Sequence, residues 1–233
     1  MKWNFGLIFV TSSAQTNNLM RILILTLFLI INPGINAQNL TEKQWTGKEK
    51  AVLINDWNEY GDALLRKDWQ AVADKIYPGL FQLSSKEDII RAMENGLNNL
   101  EYRTEMLPAG NMYIFPDYLE RDGKKYALIS YTDNLSIIFN RKPDENDITF
   151  EGRMDYIYHK FKKKYPAGQL IRGSEKNVFH LRIPKYMLAI YMPGQQSYTF
   201  IDFSDHPQKL AMLEQIFDKE IIDYFLTKIS AKP

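Results

Sequence analysis

Residues 126–139, YALISYTDNLSIIF, decide how the chain is read. They are rich in aromatic and β-branched side chains, the composition of a long strand. Successive strand side chains point to opposite faces. One face carries Ala127, Ile129, Tyr131, Asp133, Leu135, Ile137 and Phe139, and the other Tyr126, Leu128, Ser130, Thr132, Asn134, Ser136 and Ile138. The first reads as a core face holding a single acid, the second as half wet.

Working outward, Arg121-Asp122-Gly123-Lys124 precedes this strand and has the chemistry of a tight hairpin turn, because Asp-Gly tolerates positive φ. Residues 112–120 are then its partner strand, and residues 102–107 an earlier strand separated from it by a turn at Pro108-Ala109-Gly110-Asn111. Downstream, Met154, Ile157, Tyr158, Phe161 and Tyr165 fall at helical spacing, which predicts a helix over 149–165 ended by Pro166 and Gly168. Lys162, Lys163 and Lys164 in its last turn complement the helix dipole. Residues 177–183 and 185–192 follow as two strands, or as one bent strand with Pro184 at an edge or bulge position, and residues 198–203 form the next.

The amino-terminal part reads as helices. Trp45, Val52, Leu53, Trp57, Tyr60 and Leu64 make one amphipathic stripe. Asp68 caps a second helix carrying Trp69, Val72, Ala73 and Ile76, stopped at Tyr77-Pro78. Residues 81–83 read as a short strand. Ser84 and Glu87 form a capping box for a third helix reaching about Leu100. A last helix after Pro207 buries Leu210, Leu213, Phe217, Ile221, Tyr224 and Phe225.

Composition limits the function classes. Of 233 residues, 45% are hydrophobic, enough for one sizeable core. There is no cysteine, which excludes disulfides, thiolate metal sites, cysteine nucleophiles and a lipid anchor on cysteine. Residues 1–37 carry Lys2 and Arg21 and no acid, so the rest holds 27 basic and 28 acidic residues, net −1. That balance gives no reason to expect nucleic acid or an anionic membrane as partner. Met20-Arg21, the apolar run Ile22 to Ile31, Pro33 and Ala37 read as a secretory signal peptide cut after Ala37, with Met20 as the start and residues 1–19 an upstream extension. The apolar run is too short to span a membrane. The expectation is export through the Sec pathway to the periplasm, the outer surface or the medium, as a single domain over 38–233.

Helices, a meander of long strands, an inserted helix, more meander and a terminal helix make an order that resembles the nuclear transport factor 2-like superfamily. Trp57, Tyr60, Ala63, Leu64, Asp68, Trp69 and Tyr77-Pro78 resemble that group's opening helix pair. The tail NVFHLRIPKYMLAIYMPGQQSYTFIDF and the later Asp218-Lys219-Glu220-Ile221 are similar to secreted members from Bacteroidetes-type bacteria, although Tyr198 stands where those often carry Trp. The resemblance implies an α+β, cystatin-like cone. In it a curved antiparallel sheet wraps around the amino-terminal helices, with an inserted helix, a carboxy-terminal helix and a pocket at the open end. The superfamily includes cofactor-independent isomerases, dehydratases and cyclases as well as non-enzymatic binding modules.

For chemistry, Asp133 stands out. A carboxylate on an apolar sheet face could act as acid or base, with Tyr131 two residues earlier donating to a developing oxyanion. A bulge at residues 132–134 turning Asp133 outward, or a partner such as Arg103 or Arg182, would instead make it structural. Tyr131, Tyr186 and Tyr191 are candidate pocket tyrosines for a small molecule, a glycan or a peptide. His159 belongs on a helix flank, His180 at a sheet surface, and His206 before the last helix. No HxxxH, HExxH or facial carboxylate pair appears, so neither metal nor cofactor is expected. The leading expectation is a non-catalytic binding module. The alternatives are an isomerase, dehydratase or hydrolase using Asp133, and a structural homodimer joined through Tyr126, Leu128 and Ile138.

Overall fold

Residues 40–97 and 99–231 are described in a computed structural model. The leader, its cut after Ala37 and the start at Met20 lie outside the described residues. From Leu40 onward the chain forms one compact unit. Its elements are β1 (Thr41–Gln44), α1 (Gly47–Arg66), α2 (Trp69–Asp74), a 3-10 turn (Pro78–Gln82), α3 (Lys86–Leu97), β2 (Tyr102–Arg121), β3 (Lys124–Phe139), α4 (Asp147–Lys164), β4 (Leu170–Arg172), β5 (Val178–Met192), β6 (Ser197–Phe203), α5 (Pro207–Leu213) and α6 (Lys219–Ser230). The class is α+β, a curled antiparallel sheet with helices packed on it.

The sheet runs β1-β2-β3-β5-β4, with β6 also on β5. β4 pairs with residues 179–181 of β5 and β6 with residues 186–192, so both share one edge of β5. Pro184 sits between them. The Arg182 N–H donates outward to the Gln169 carbonyl at 2.8 Å. Amides two residues apart point the same way, so the Pro184 nitrogen faces that same edge, in the gap where no ladder bond is needed. Thus β5 is one strand through proline. The outer edge of β6 is closed by residues 75–77: the Phe200 N–H donates to the Lys75 carbonyl at 2.7 Å, and the Tyr77 N–H to the Phe200 carbonyl at 2.9 Å.

Three apolar clusters hold helices to the sheet. On the face of Ala127 and Ile129, α1 packs Leu53 and Trp57 against Met187, Ala189 and Phe200. Farther along that face, α4 packs Met154 against Tyr102, Ile137, Phe139, Phe179 and Leu181. On the opposite face, α5 and α6 cover Tyr126, Leu128, Leu188 and Ile190 with Leu213, Ile221, Ile222 and Phe225. The face expected to be half wet is therefore buried over its first half. Tyr126 and Leu128 are 5% and 1% exposed, and the dimer patch foreseen around them does not exist.

Other expectations are corrected locally. Residues 102–121 are one strand, and the foreseen turn at residues 108–111 is a pair of register shifts against β3. Both halves find the same partner, and Asn111 absorbs the irregularity at φ 49°. Residues 81–83 belong to the 3-10 turn started by Pro78, with Leu80 N–H donating to the Tyr77 carbonyl. The cap of α3 is Ser85 with Asp88, one residue later than expected. Ser84 is still engaged with the preceding turn through its N–H to the Leu80 carbonyl. The helix ends at Leu97, leaving Leu100 97% exposed. Trp45 precedes α1 and donates its indole N–H to the Phe115 carbonyl at 2.8 Å. The last helix is two, because the chain becomes extended at Asp218, letting Phe217 stack on Tyr77 at 5.1 Å between centroids. Strands β1 and β4 were not foreseen; neither has an apolar alternation long enough to announce itself.

The hairpin before β3, the Asp68 cap and the α4 stripe are as expected. Asp122 and Gly123 take φ 52° and 73°, and Asp68 accepts from Ala71 N–H at 3.1 Å.

Candidate functional site

The odd-numbered residues of β3 run under both helices of one face. Ala127, Ile129 and Tyr131 belong with α1, and Leu135, Ile137 and Phe139 with α4. Asp133 falls at the seam. On β5, Phe179, Leu181 and Ile183 belong with α4, while Met187, Ala189 and Tyr191 belong with α1. Lys185 falls at the same seam. The strands run antiparallel with Tyr131 opposite Lys185 and Asp133 opposite Ile183, so the two charges are diagonal neighbours within reach of a lysine side chain. Lys185 Nζ donates to Asp133 Oδ2 at 2.6 Å.

This pair lies at a cleft of about 610 Å³. Its walls come from α1 (Tyr60, Leu64), the end of α3 (Leu97) and the irregular part of β2 (Met106, Leu107, Ala109). The irregularity therefore shapes the site, pushing Pro108 and Ala109 out of the ladder to form one side. Asp133 and Lys185 side chains are 22% and 33% exposed. Burial works against the Lys185 ammonium, but the charge and hydrogen bond of Asp133, and then the Asp202 charge, together outweigh it and leave the lysine pKa above its ordinary value. Tyr131 packs edge-on to Trp57 at 4.9 Å. Burial, and then the nearby Asp133 charge, push its hydroxyl pKa far up, and burial does the same for Tyr60. Both phenols stay protonated and serve as donors.

The structure brings together Tyr131 and Asp133 and leaves the other two tyrosines elsewhere. Tyr186 points to the opposite face, against the α5/α6 cluster. Tyr191 shares the face of Asp133 but lies at its far end, beside Tyr198 at 5.3 Å and under the Lys125 ammonium. The bulge considered at residues 132–134 is absent: β3 keeps continuous register with β5 from Lys125 to Ile138. The partner of Asp133 is Lys185; Arg103 approaches Glu105 instead, at 3.5 Å. Lys185 was the residue missed, and the signal was present. Each odd series, residues 127–139 and 179–191, carries one charge, and the two are opposite in sign.

His159 is exposed on α4, His206 stands at the start of α5, and His180 lies on the opposite face from Asp133, bonded through Nδ1 to Ser136 Oγ at 2.8 Å. Among the described residues no group of three or more His, Cys, Asp or Glu is placed to hold a metal ion, and no helix is long and apolar enough to cross a membrane. No protein-family model matches the chain, and no curated protein matches it.

Proposed function

We propose that the chain is an exported, non-catalytic binding module of nuclear transport factor 2-like architecture, taking a small amphipathic ligand in the cleft walled by α1, the end of α3 and β2. One observation carries the reading. The one acid that β3 places on this face is held in an ion pair at 2.6 Å, under walls that are mostly aliphatic and aromatic. A carboxylate fixed by an ammonium is a poor general base, since a proton arriving on it must break the pair. The same pair is a good anchor for a neutral polar group, offering an acceptor and a donor side by side, while the walls take an apolar body. The leader read over residues 20–37 and the curled α+β sheet support the export and architecture parts.

The test is a titration of the chain starting at Gln38 with the neutral amphipathic probe N-phenyl-1-naphthylamine, read by fluorescence. Saturable enhancement is expected, and it should be lost in Ala109→Trp, which fills the cleft from an exposed wall position. An enhancement that never saturates, or that Ala109→Trp leaves intact, would sink the reading. Export is checked separately by the amino terminus of protein recovered outside the inner membrane, expected at Gln38.

A further inference from the structure

The sheet face opposite the cleft is covered by α5 and α6 only over its first half. Beyond them lies a trough of about 500 Å³, large enough for a monosaccharide-sized ligand. Thr132 and Asn134 of β3 and His180 and Arg182 of β5 line it, with Leu107 and Ile171 on its sides. Cross-strand register sets Asn134 opposite Arg182 and Ser136 opposite His180, so these side chains form a block on one face.

Charge decides the ligand. None of the lining residues is acidic. Arg182 is exposed and has no carboxylate partner among the described residues. The nearest acid in register on this face, Glu105 opposite Ser136, sits against Arg103. A guanidinium fork matches a carboxylate with two parallel hydrogen bonds. A single full cation suits a monoanion better than a phosphate dianion. The rest of the trough wants hydroxyl groups. His180 uses Nδ1 on Ser136, leaving Nε2 for a ligand. A hydroxyl can donate to or accept from that nitrogen in either tautomer. Asn134 gives an amide N–H to the Pro108 carbonyl at 2.8 Å, which leaves its side-chain carbonyl oxygen as an acceptor. Thr132 adds a hydroxyl. We propose that this trough is a second binding site, for a small hydroxylated carboxylate of the hexuronic acid class.

The chain has three histidines, so their imidazole Cε1–H signals can be followed individually by NMR. D-glucuronate should shift the His180 signal saturably and leave His159 and His206 in place. D-glucose and inorganic phosphate should have little effect at the same concentrations. Arg182→Met, at an exposed position, should weaken the glucuronate response at least about tenfold. Asp133→Asn, on the other face, should not change it, so this test stands or falls apart from the cleft. The proposal is overturned if His180 does not respond to glucuronate up to roughly 50 mM, the limit of useful affinity. It is overturned equally if Arg182→Met binds as the parent does, or if phosphate competes as well as glucuronate.

Discussion

The two halves of the long sheet differ in how they are covered. Where β3, β5 and β6 pair, helices lie on both faces: α1 on one, α5 and α6 on the other. Where β2, β3, β4 and β5 pair beyond Asp133 and Pro184, α4 covers one face, and the opposite face holds the trough. The doubly covered half has near-continuous apolar strands, as in Tyr126–Ile129 and Met187–Ile190, because both faces are dry. The singly covered half alternates, with Asn134, His180 and Arg182, and the buried Ser136 bonded to His180, on one face and Ile137, Leu135, Phe179 and Leu181 on the other. The first half has buried apolar clusters on both of its faces, the second on one. The second half, and the seam before it, hold the polar groups free to meet ligands.

The sharpest way to break that contrast is to remove one large side chain from each half. Phe225 on α6 is 1% exposed in the doubly covered half, and Tyr156 on α4 is 62% exposed in the other. Phe225→Ala should cost about 3–5 kcal/mol in chemical denaturation. Tyr156→Ala should stay within about 0.5 kcal/mol. A loss at Phe225 as small as that at Tyr156 would mean that α6 does not seal the doubly covered half. Next in size is Asp56, buried on α1, whose Oδ1 accepts from Lys75 Nζ at 2.6 Å and whose Oδ2 accepts the Tyr198 N–H at 2.8 Å. Asp56→Ala strands the Tyr198 edge amide and leaves the Lys75 ammonium on Glu59 alone, at 2.6 Å, and should cost about 2 kcal/mol. Hydrogen exchange at Tyr198 should speed up with it. If that amide stays protected, the carboxylate is not what closes the edge of β6.

How much of this was legible follows from the same contrast. The pattern of β3 is readable because from Ala127 to Phe139 one of its faces is apolar but for Asp133, and α4 is readable because all of its stripe meets one cluster. The second cover was not: an apolar Tyr126 and Leu128 beside Ser130 and Thr132 look the same whether the first pair is exposed or lies under a helix far away in sequence. Proline and glycine at residues 108–110 gave a turn signal, yet the partner strand continues straight past them, so pairing overrode local preference. For the site, Asp133 and Tyr131 were visible from one strand. Lys185 needed the register between two strands 52 residues apart, and neither strand specifies that register alone. Tyr186 was misplaced for the opposite reason: a tyrosine at an even position of β5 belongs to the other face, as a parity count against Lys185 would have indicated.

The seam itself gives a smaller effect. Asp133→Asn or Lys185→Met alone leaves a half-buried charge without its partner and should cost about 1–2 kcal/mol. The double variant Asp133→Leu/Lys185→Met removes both charges from between two apolar clusters and should recover most of that loss, joining the α1 and α4 clusters into one. A double variant as unstable as the sum of the singles would mean that the pair is not held at the cost of stability, and the case for a retained binding anchor would weaken.

The smallest effect concerns how α1 is fastened to the doubly covered half. Glu49 in the first turn of α1 takes hydrogen bonds from Lys125 Nζ on β3, from the Thr46 N–H and from the Tyr118 hydroxyl. Lys125 first, and then the Thr46 amide, hold the Glu49 pKa down to about 2 from an ordinary 4.5. A carboxylate depressed on folding contributes stability that is fully present above its unfolded value and is lost as pH falls through the folded one. The contribution should therefore be intact at pH 6, begin to fall near 4.5 and be gone by about 2. The Glu49 side chain is 23% exposed, so solvent screening limits the term to about 1 kcal/mol. In Glu49→Gln the stability at pH 6 should drop by that amount, and the decline between pH 4.5 and 2 should be shallower than in the parent. If the two proteins lose stability in parallel over that interval, the clamp between α1 and β3 does not depend on this charge, and the apolar contacts of Leu53 and Trp57 hold the helix by themselves.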